Sequence, residues 1–61
     1  MIVEFWLREP GEHRKVDTME LDCVPRAGEA VTLQSVTRDV HSVTYIIGLS
    51  GGAVARVLLE M

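Results

Sequence analysis

The chain has 61 residues, 48% of them hydrophobic and 25% charged, with a net charge of −3 and a single cysteine. These values exclude a disordered chain, a second domain, an internal disulfide, and the whole-domain attraction that drives nonspecific nucleic-acid binding. A core this small comes close to break-even against about 1.5 kcal/mol of ordering cost per residue. Cys23, His13 and His41 are far apart in sequence, which argues against a structural zinc site. Oligomerisation is the remaining support, so a homo-oligomer is expected.

Hydrophobic periodicity is close to two along most of the chain. IVEFWLRE predicts a strand over residues 1–8, with Val3, Phe5 and Leu7 on one face and Ile2, Glu4, Trp6 and Arg8 on the other. EPGEHR is a polar Pro-Gly loop. VDTMELDCV predicts a second strand that forms a hairpin with the first. Met19, Leu21 and Cys23 share one of its faces, which places Cys23 in the core.

Pro25 removes a backbone donor and ends that strand. Gly28 supplies positive φ or close approach, and AVTL resumes the alternation with Val31 and Leu33 inward. PRAGE is therefore a connection between strands, with Arg26 and Glu29 at a tip that a partner could reach.

In QSVTRDVHSVTYIIGL, the spacing from Val40 to Val43 is three, which breaks strict alternation and implies a β-bulge or bend. The density of Val and Thr argues against a helix, so a long bent strand is expected over 37–48. SGG at 50–52 is a tight hairpin turn. AVARVLLE is the last strand, with Ala53, Ala55, Val57 and Leu59 on one face and Val54, Arg56 and Leu58 on the other. The expected fold is all-β: one domain over 1–61, a small five-stranded antiparallel barrel.

VPRAGEAVTL, DVHSVTY and ARVLLE resemble small SH3-like β-barrel proteins of bacteria and mobile elements. Those proteins read Pro-Arg-x-Gly-Glu/Asp-x-Val, then Val-x-x-Val, then a final Val-x-Leu-Glu strand. The resemblance covers residues 21–60. Several of these proteins carry an aromatic residue where this chain has Arg38. The resemblance implies an SH3-like barrel and an accessory role in a phage or mobile element. It does not choose an activity, because a fold does not imply a function.

Catalytic and cofactor motifs are sparse. GxGxxG, Walker, HExxH and GxSxG patterns are missing, and no cofactor or metal is expected. GLSGG has the wrong spacing for a nucleophile elbow. His13 sits in a charged loop. His41 falls at the expected bulge, and Asp39, two residues away, shares its face on a regular strand. That pair would need an oligomer interface to complete a site, and an enzyme is not expected. A reactive Cys23 would need a nearby cation, for which Arg26 is the local candidate.

Binding is the better-supported direction. Trp6 lies opposite Val3, Phe5 and Leu7, while Ile2 and Leu58 are apolar on the outer faces of the terminal strands. Such a patch on a small domain marks an association surface. The candidate partner-binding set is Ile2, Trp6, Arg26, Glu29 and Leu58. The expected function is a protein-interaction module that binds itself or a host protein through strand edges and this patch. The alternative is a nucleic-acid-binding barrel using Arg14, Lys15, Arg26 and Arg38, with Trp6 or Tyr45 stacking on bases. No apolar run approaches the roughly 20 residues of a membrane helix, so no membrane partner is expected. The start MIVEFWLRE lacks signal-peptide character, and together with the lone cysteine this points to the cytoplasm.

Overall fold

The computed structural model describes all 61 residues. Five strands form and no helix: β1 Ile2–Leu7, β2 Arg14–Glu20, β3 Ala30–Leu33, β4 Val36–Ile47 and β5 Ala53–Leu59. They make one curled half-barrel sheet in the order β2-β1-β5-β4-β3. No helix of the chain is long and apolar enough to cross a membrane.

The sheet is mixed, which corrects the antiparallel barrel expected from the sequence. β1 and β5 pair in parallel at its centre; the other pairs are antiparallel. The reason is topological. Every connection reverses the chain, so the odd-numbered strands run the same way. A sheet that seats β5 beside β1 must make that pair parallel. Residues 21–29 then carry the chain from β2, at one edge, to β3 at the other. β2 and β3 do not pair, and the curl stays open between them.

Alternation places the core as expected. Val3, Phe5 and Leu7 of β1 stand opposite Ala55, Val57 and Leu59 of β5. With Val40 of β4 these are the buried residues. Burying a side chain of this kind contributes about 1.5–3 kcal/mol. Val16, Met19, Leu21, Val24, Val31, Leu33 and Val43 pack partly buried around them.

β4 changes partners at its bulge. Val36–Asp39 pairs with β3, and Val40–Ile47 pairs with β5. The register slips between Val40 and Ser42, so His41 is the extra residue. Val40 N donates to the Glu29 carbonyl at 2.7 Å, and Glu60 N donates to the Asp39 carbonyl at 2.8 Å. These bonds fix the two sides of the bend. The broken spacing between Val40 and Val43 was its sequence signal. A second bulge lies where Val16 of β2 passes Phe5 and Trp6.

Two local expectations fail. Cys23 is exposed. β2 ends at Glu20, Leu21 N donates to the Met1 carbonyl at 2.9 Å, and the chain bends at Asp22 and Cys23. The alternation of VDTMELDCV runs past the strand that carries it, and Val24 packs against the core instead. The second failure is a missed turn. Gln34 and Ser35, at φ 52° and 67°, join Leu33 to Val36 in a two-residue hairpin. Left-handed φ at both positions suits the twist of the flanking strands, but neither residue is the Gly or Asn that would announce it.

Candidate functional site

Cross-strand registry turns the outer positions of four strands into rows on the convex face. One row is Glu20, Ile2, Val54 and Ile46; the next is Thr18, Glu4, Arg56 and Thr44; the third is Lys15, Trp6, Leu58 and Ser42. The central pairs of the outer rows, Ile2–Val54 and Trp6–Leu58, are apolar and flank the polar pair Glu4–Arg56.

Trp6 and Leu58 are direct neighbours, as the patch expectation requires. Ile2 is not with them. It sits across the Glu4–Arg56 row, beside Val54, and is 46% exposed. Arg26 and Glu29 are placed elsewhere, in the turn before β3. Glu29 N donates to the Arg26 carbonyl at 3.1 Å, and Arg26 N donates to Glu29 Oε1 at 2.6 Å. Gly28 supplies φ 90° between them. The Glu29 carboxylate thus closes its own turn.

The centre of the face is a three-residue cluster. Trp6 Nε1 donates to Glu4 Oε1 at 3.0 Å, and Arg56 Nε donates to the same oxygen at 3.2 Å. The Arg56 guanidinium carbon lies 4.6 Å from the Trp6 ring centroid, within cation–π range. The indole hydrogen bond, more than any other contact, holds the Glu4 carboxyl below the ordinary glutamate range. Partial desolvation opposes it, and Arg56 and the charge of Lys15 reinforce it. Trp6, Arg56 and Leu58 line a shallow groove of about 410 Å³, closed by Thr44 and by Glu12 and His13 of the β1–β2 loop. In that loop Glu9 N donates to His13 Nδ1 at 3.3 Å.

Sequence reading missed Glu4, Arg56 and His13 as members of this site. Glu4 and Trp6 are two apart on one strand, so their shared face was legible. Arg56 joins them only through the β1–β5 register, and His13 only through the path of the loop.

The four cations of the nucleic-acid alternative are divided. Lys15 stands beside Trp6 on the convex face. Arg14 and Arg38 line a cavity of about 190 Å³ at the open end of the curl, floored by Leu7, Val16, Leu33 and Leu59. Arg14 is paired with Glu9 at 3.0 Å, and Arg38 Nε is buried without a partner. Arg26 is in the turn already described.

The bulge redirects His41. Its Nδ1 lies 2.9 Å from Glu60 Oε1, and Arg8 Nη1 donates to the same carboxylate at 2.9 Å. Arg8 is the main cause that holds the Glu60 carboxyl below the ordinary range. The carboxylate facing His41 is thus Glu60, not Asp39. No group of three or more His, Cys, Asp or Glu side chains is placed to hold a metal ion.

Comparison with known proteins finds no matching family model, no matching curated protein and no matching solved structure. The SH3-like resemblance rests on its turn and strand motifs alone.

Proposed function

We propose that the chain is a protein-interaction module whose convex sheet face receives a protein partner. The observation that carries this reading is the Trp6 cluster. A half-buried indole, braced by Glu4 and covered by Arg56, stands next to Leu58 in an open groove. Trp and Arg are the residue types most enriched among binding hot spots. Their fixed geometry here lowers the ordering cost on binding. The face presents both signs of charge, from Glu4, Glu12, Arg56 and Lys15, which suits a polar-rimmed protein contact. An accessory role in a phage or mobile element rests on the sequence resemblance.

The test is capture from a lysate of the source organism with tagged wild-type and Trp6→Ala proteins, with retained proteins identified by mass spectrometry. A partner that survives salt and nuclease and is lost with Trp6→Ala supports the module. Equal capture by both proteins removes it.

One observation favours the nucleic-acid reading: Lys15 and Arg56 flank Trp6, as a cationic stacking platform for a single strand would require. Glu4 and Glu12 in the same face weigh against it. A low-salt mobility shift abolished by Trp6→Ala would reverse the ranking.

A further inference from the structure

The three free edges of the sheet are not defended alike. β2 is an outer strand with the sequence RKVDTME, and it carries Arg14, Lys15, Asp17, Glu20 and a bulge. β3 is only four residues long. Charge, bulges and shortness are the ordinary ways in which an edge avoids pairing with another chain. The third edge carries no charge, and the bulge of β4 lies at its start and not within it. β3 covers β4 only as far as Asp39, and Gly28 and Glu29 extend that cover to Val40. Beyond lies SVTYII, residues 42–47, without a charge, proline or glycine. Such a segment is a strong β-former.

Its backbone geometry can be assigned. Gly48 N donates to the Gly52 carbonyl. In an antiparallel ladder, N–H and C=O groups alternate between the two sides of a strand. The backbone groups of Ile47, Tyr45 and Val43 therefore face away from β5, where no segment meets them. The side chains on this stretch are exposed as well: Tyr45 53%, Ile46 42% and Ile47 67%.

We infer that a second copy of this chain occupies the edge, β4 pairing antiparallel with β4 about a two-fold axis at Tyr45. This deepens the proposed function by naming one partner of the module, and it rests on that reading. The register is self-complementary. Tyr45 meets its own equivalent, and Val43 meets Ile47 of the second copy on the concave side. On the convex side Thr44 meets Ile46. Each outward-facing residue then exchanges both of its bonds, for about six backbone hydrogen bonds in all. Charge favours a copy at this edge over any other. Two chains of net charge −3 repel in general, and SVTYII is the edge that brings no like charges together. The dimer joins two half-barrels into one continuous sheet and covers apolar side chains that the small core leaves in water.

The test is sedimentation of the full chain from about 5 to about 500 µM, with amide hydrogen exchange at both ends of that range. The wild type should be dimeric at the upper end. The amides of Val43, Tyr45 and Ile47 should become protected as concentration rises, while those of Thr44 and Ile46 stay protected throughout. Tyr45→Lys places two like charges across the axis and should raise the dissociation constant at least tenfold with an unchanged circular dichroism spectrum. Tyr45→Phe should retain the dimer. If Tyr45→Lys fails to fold, the wild-type exchange pattern decides. A wild type that stays monomeric, or exchange at the three amides that ignores concentration, overturns the inference. A dimer that survives in folded Tyr45→Lys does the same. Trp6→Ala separates this inference from the convex-face reading: it should leave dimerisation intact while removing the captured partner. A monomer with Trp6-dependent capture sinks only the edge pairing, and a dimer without such capture sinks only the convex-face contact.

Discussion

Arg56 lies over the ring of Trp6 at 4.6 Å, and the two side chains donate to one oxygen of Glu4. A cation and an indole on neighbouring strands are thereby locked by one carboxylate. Removing the cation by Arg56→Ala should cost about 0.5–1 kcal/mol, the range for an exposed cation–π contact. It should also shift the Trp6 emission to the red, because the ring loses its cover. Urea unfolding followed by tryptophan fluorescence measures both. An unchanged emission maximum would mean that Arg56 does not cover the ring in solution.

The same cluster sets a pH dependence. Glu4 is held below the ordinary glutamate range by Trp6 and Arg56, and Glu60 is held there by Arg8 and His41. A carboxyl depressed in the folded state favours folding when ionised. Its contribution is present above the unfolded value of about 4.3 and is lost as pH falls through the lower folded value. The urea midpoint should therefore drop between about pH 5 and about pH 3. Glu4→Gln keeps an acceptor for the indole, has nothing to titrate, and should flatten that drop. Both groups are only partly buried and reach solvent, so the slope is shallow. An identical slope in Glu4→Gln would remove Glu4 as a source.

Much of this fold is legible in the residues because period-two alternation is a direct imprint of a half-buried strand. Val3, Phe5, Leu7, Ala55, Val57 and Leu59 announce themselves in this way, and the Val40–Val43 spacing announces the bulge. The parallel β1–β5 pair was implicit in the count of chain reversals but not in any local pattern. Cys23 shows the limit of alternation: nothing in VDTMELDCV marks that the strand ends at Glu20. The candidate site was half legible. Trp6 and Leu58 were placed on outer faces by parity, yet their contact, and the arrival of Arg56, depend on register between strands distant in sequence. The split between Ile2 and Trp6 needs no register: the two lie four residues apart on β1, with Glu4 between them on the same face.

The turn at Gln34 and Ser35 holds two non-glycine residues at φ 52° and 67°. Left-handed backbone costs roughly 1–2 kcal/mol in an ordinary L-residue, whereas Asn-Gly adopts this turn readily. The double substitution Gln34→Asn, Ser35→Gly should stabilise the chain by about 1 kcal/mol, a rise in Tm of about 4–8 °C for a domain of this size. Thermal unfolding by circular dichroism reads it. A fall in Tm would show that the native side chains make contacts worth more than the strain.

His41 separates the role of a residue from the role of its position. Its side chain is exposed and meets Glu60 at the surface, where such pairs contribute little. His41→Ala should cost less than about 1 kcal/mol. Deleting residue 41 is a different change. It removes the unpaired residue of the bulge and leaves Val40 opposite Leu59 and Ser42 opposite Leu58. Alternation then becomes regular, with Val40 and Val43 both still inward, but the bend at which β4 passes from β3 to β5 is lost. The deletion should therefore lower the urea midpoint well below that of His41→Ala. A deletion variant as stable as His41→Ala would mean that the bend at Val40 does not need the bulge.

Cys23 lies in the bend after β2, where its thiol faces solvent. A buried thiol reacts only as fast as the protein opens, since access limits its chemistry. An exposed one needs no opening. The native chain should therefore react with an aromatic disulfide reagent within about a factor of ten of the rate in denaturant. Cys23→Ser should leave the unfolding midpoint within about 0.5 kcal/mol of the wild type, as a surface substitution does. The two measurements are linked. A core cysteine would be slow to label and costly to replace with a hydroxyl, since a buried hydroxyl without a partner costs about 1–3 kcal/mol. Fast labelling together with a neutral Cys23→Ser places the end of β2 before Asp22, and slow labelling with a costly substitution would carry that strand on through Val24.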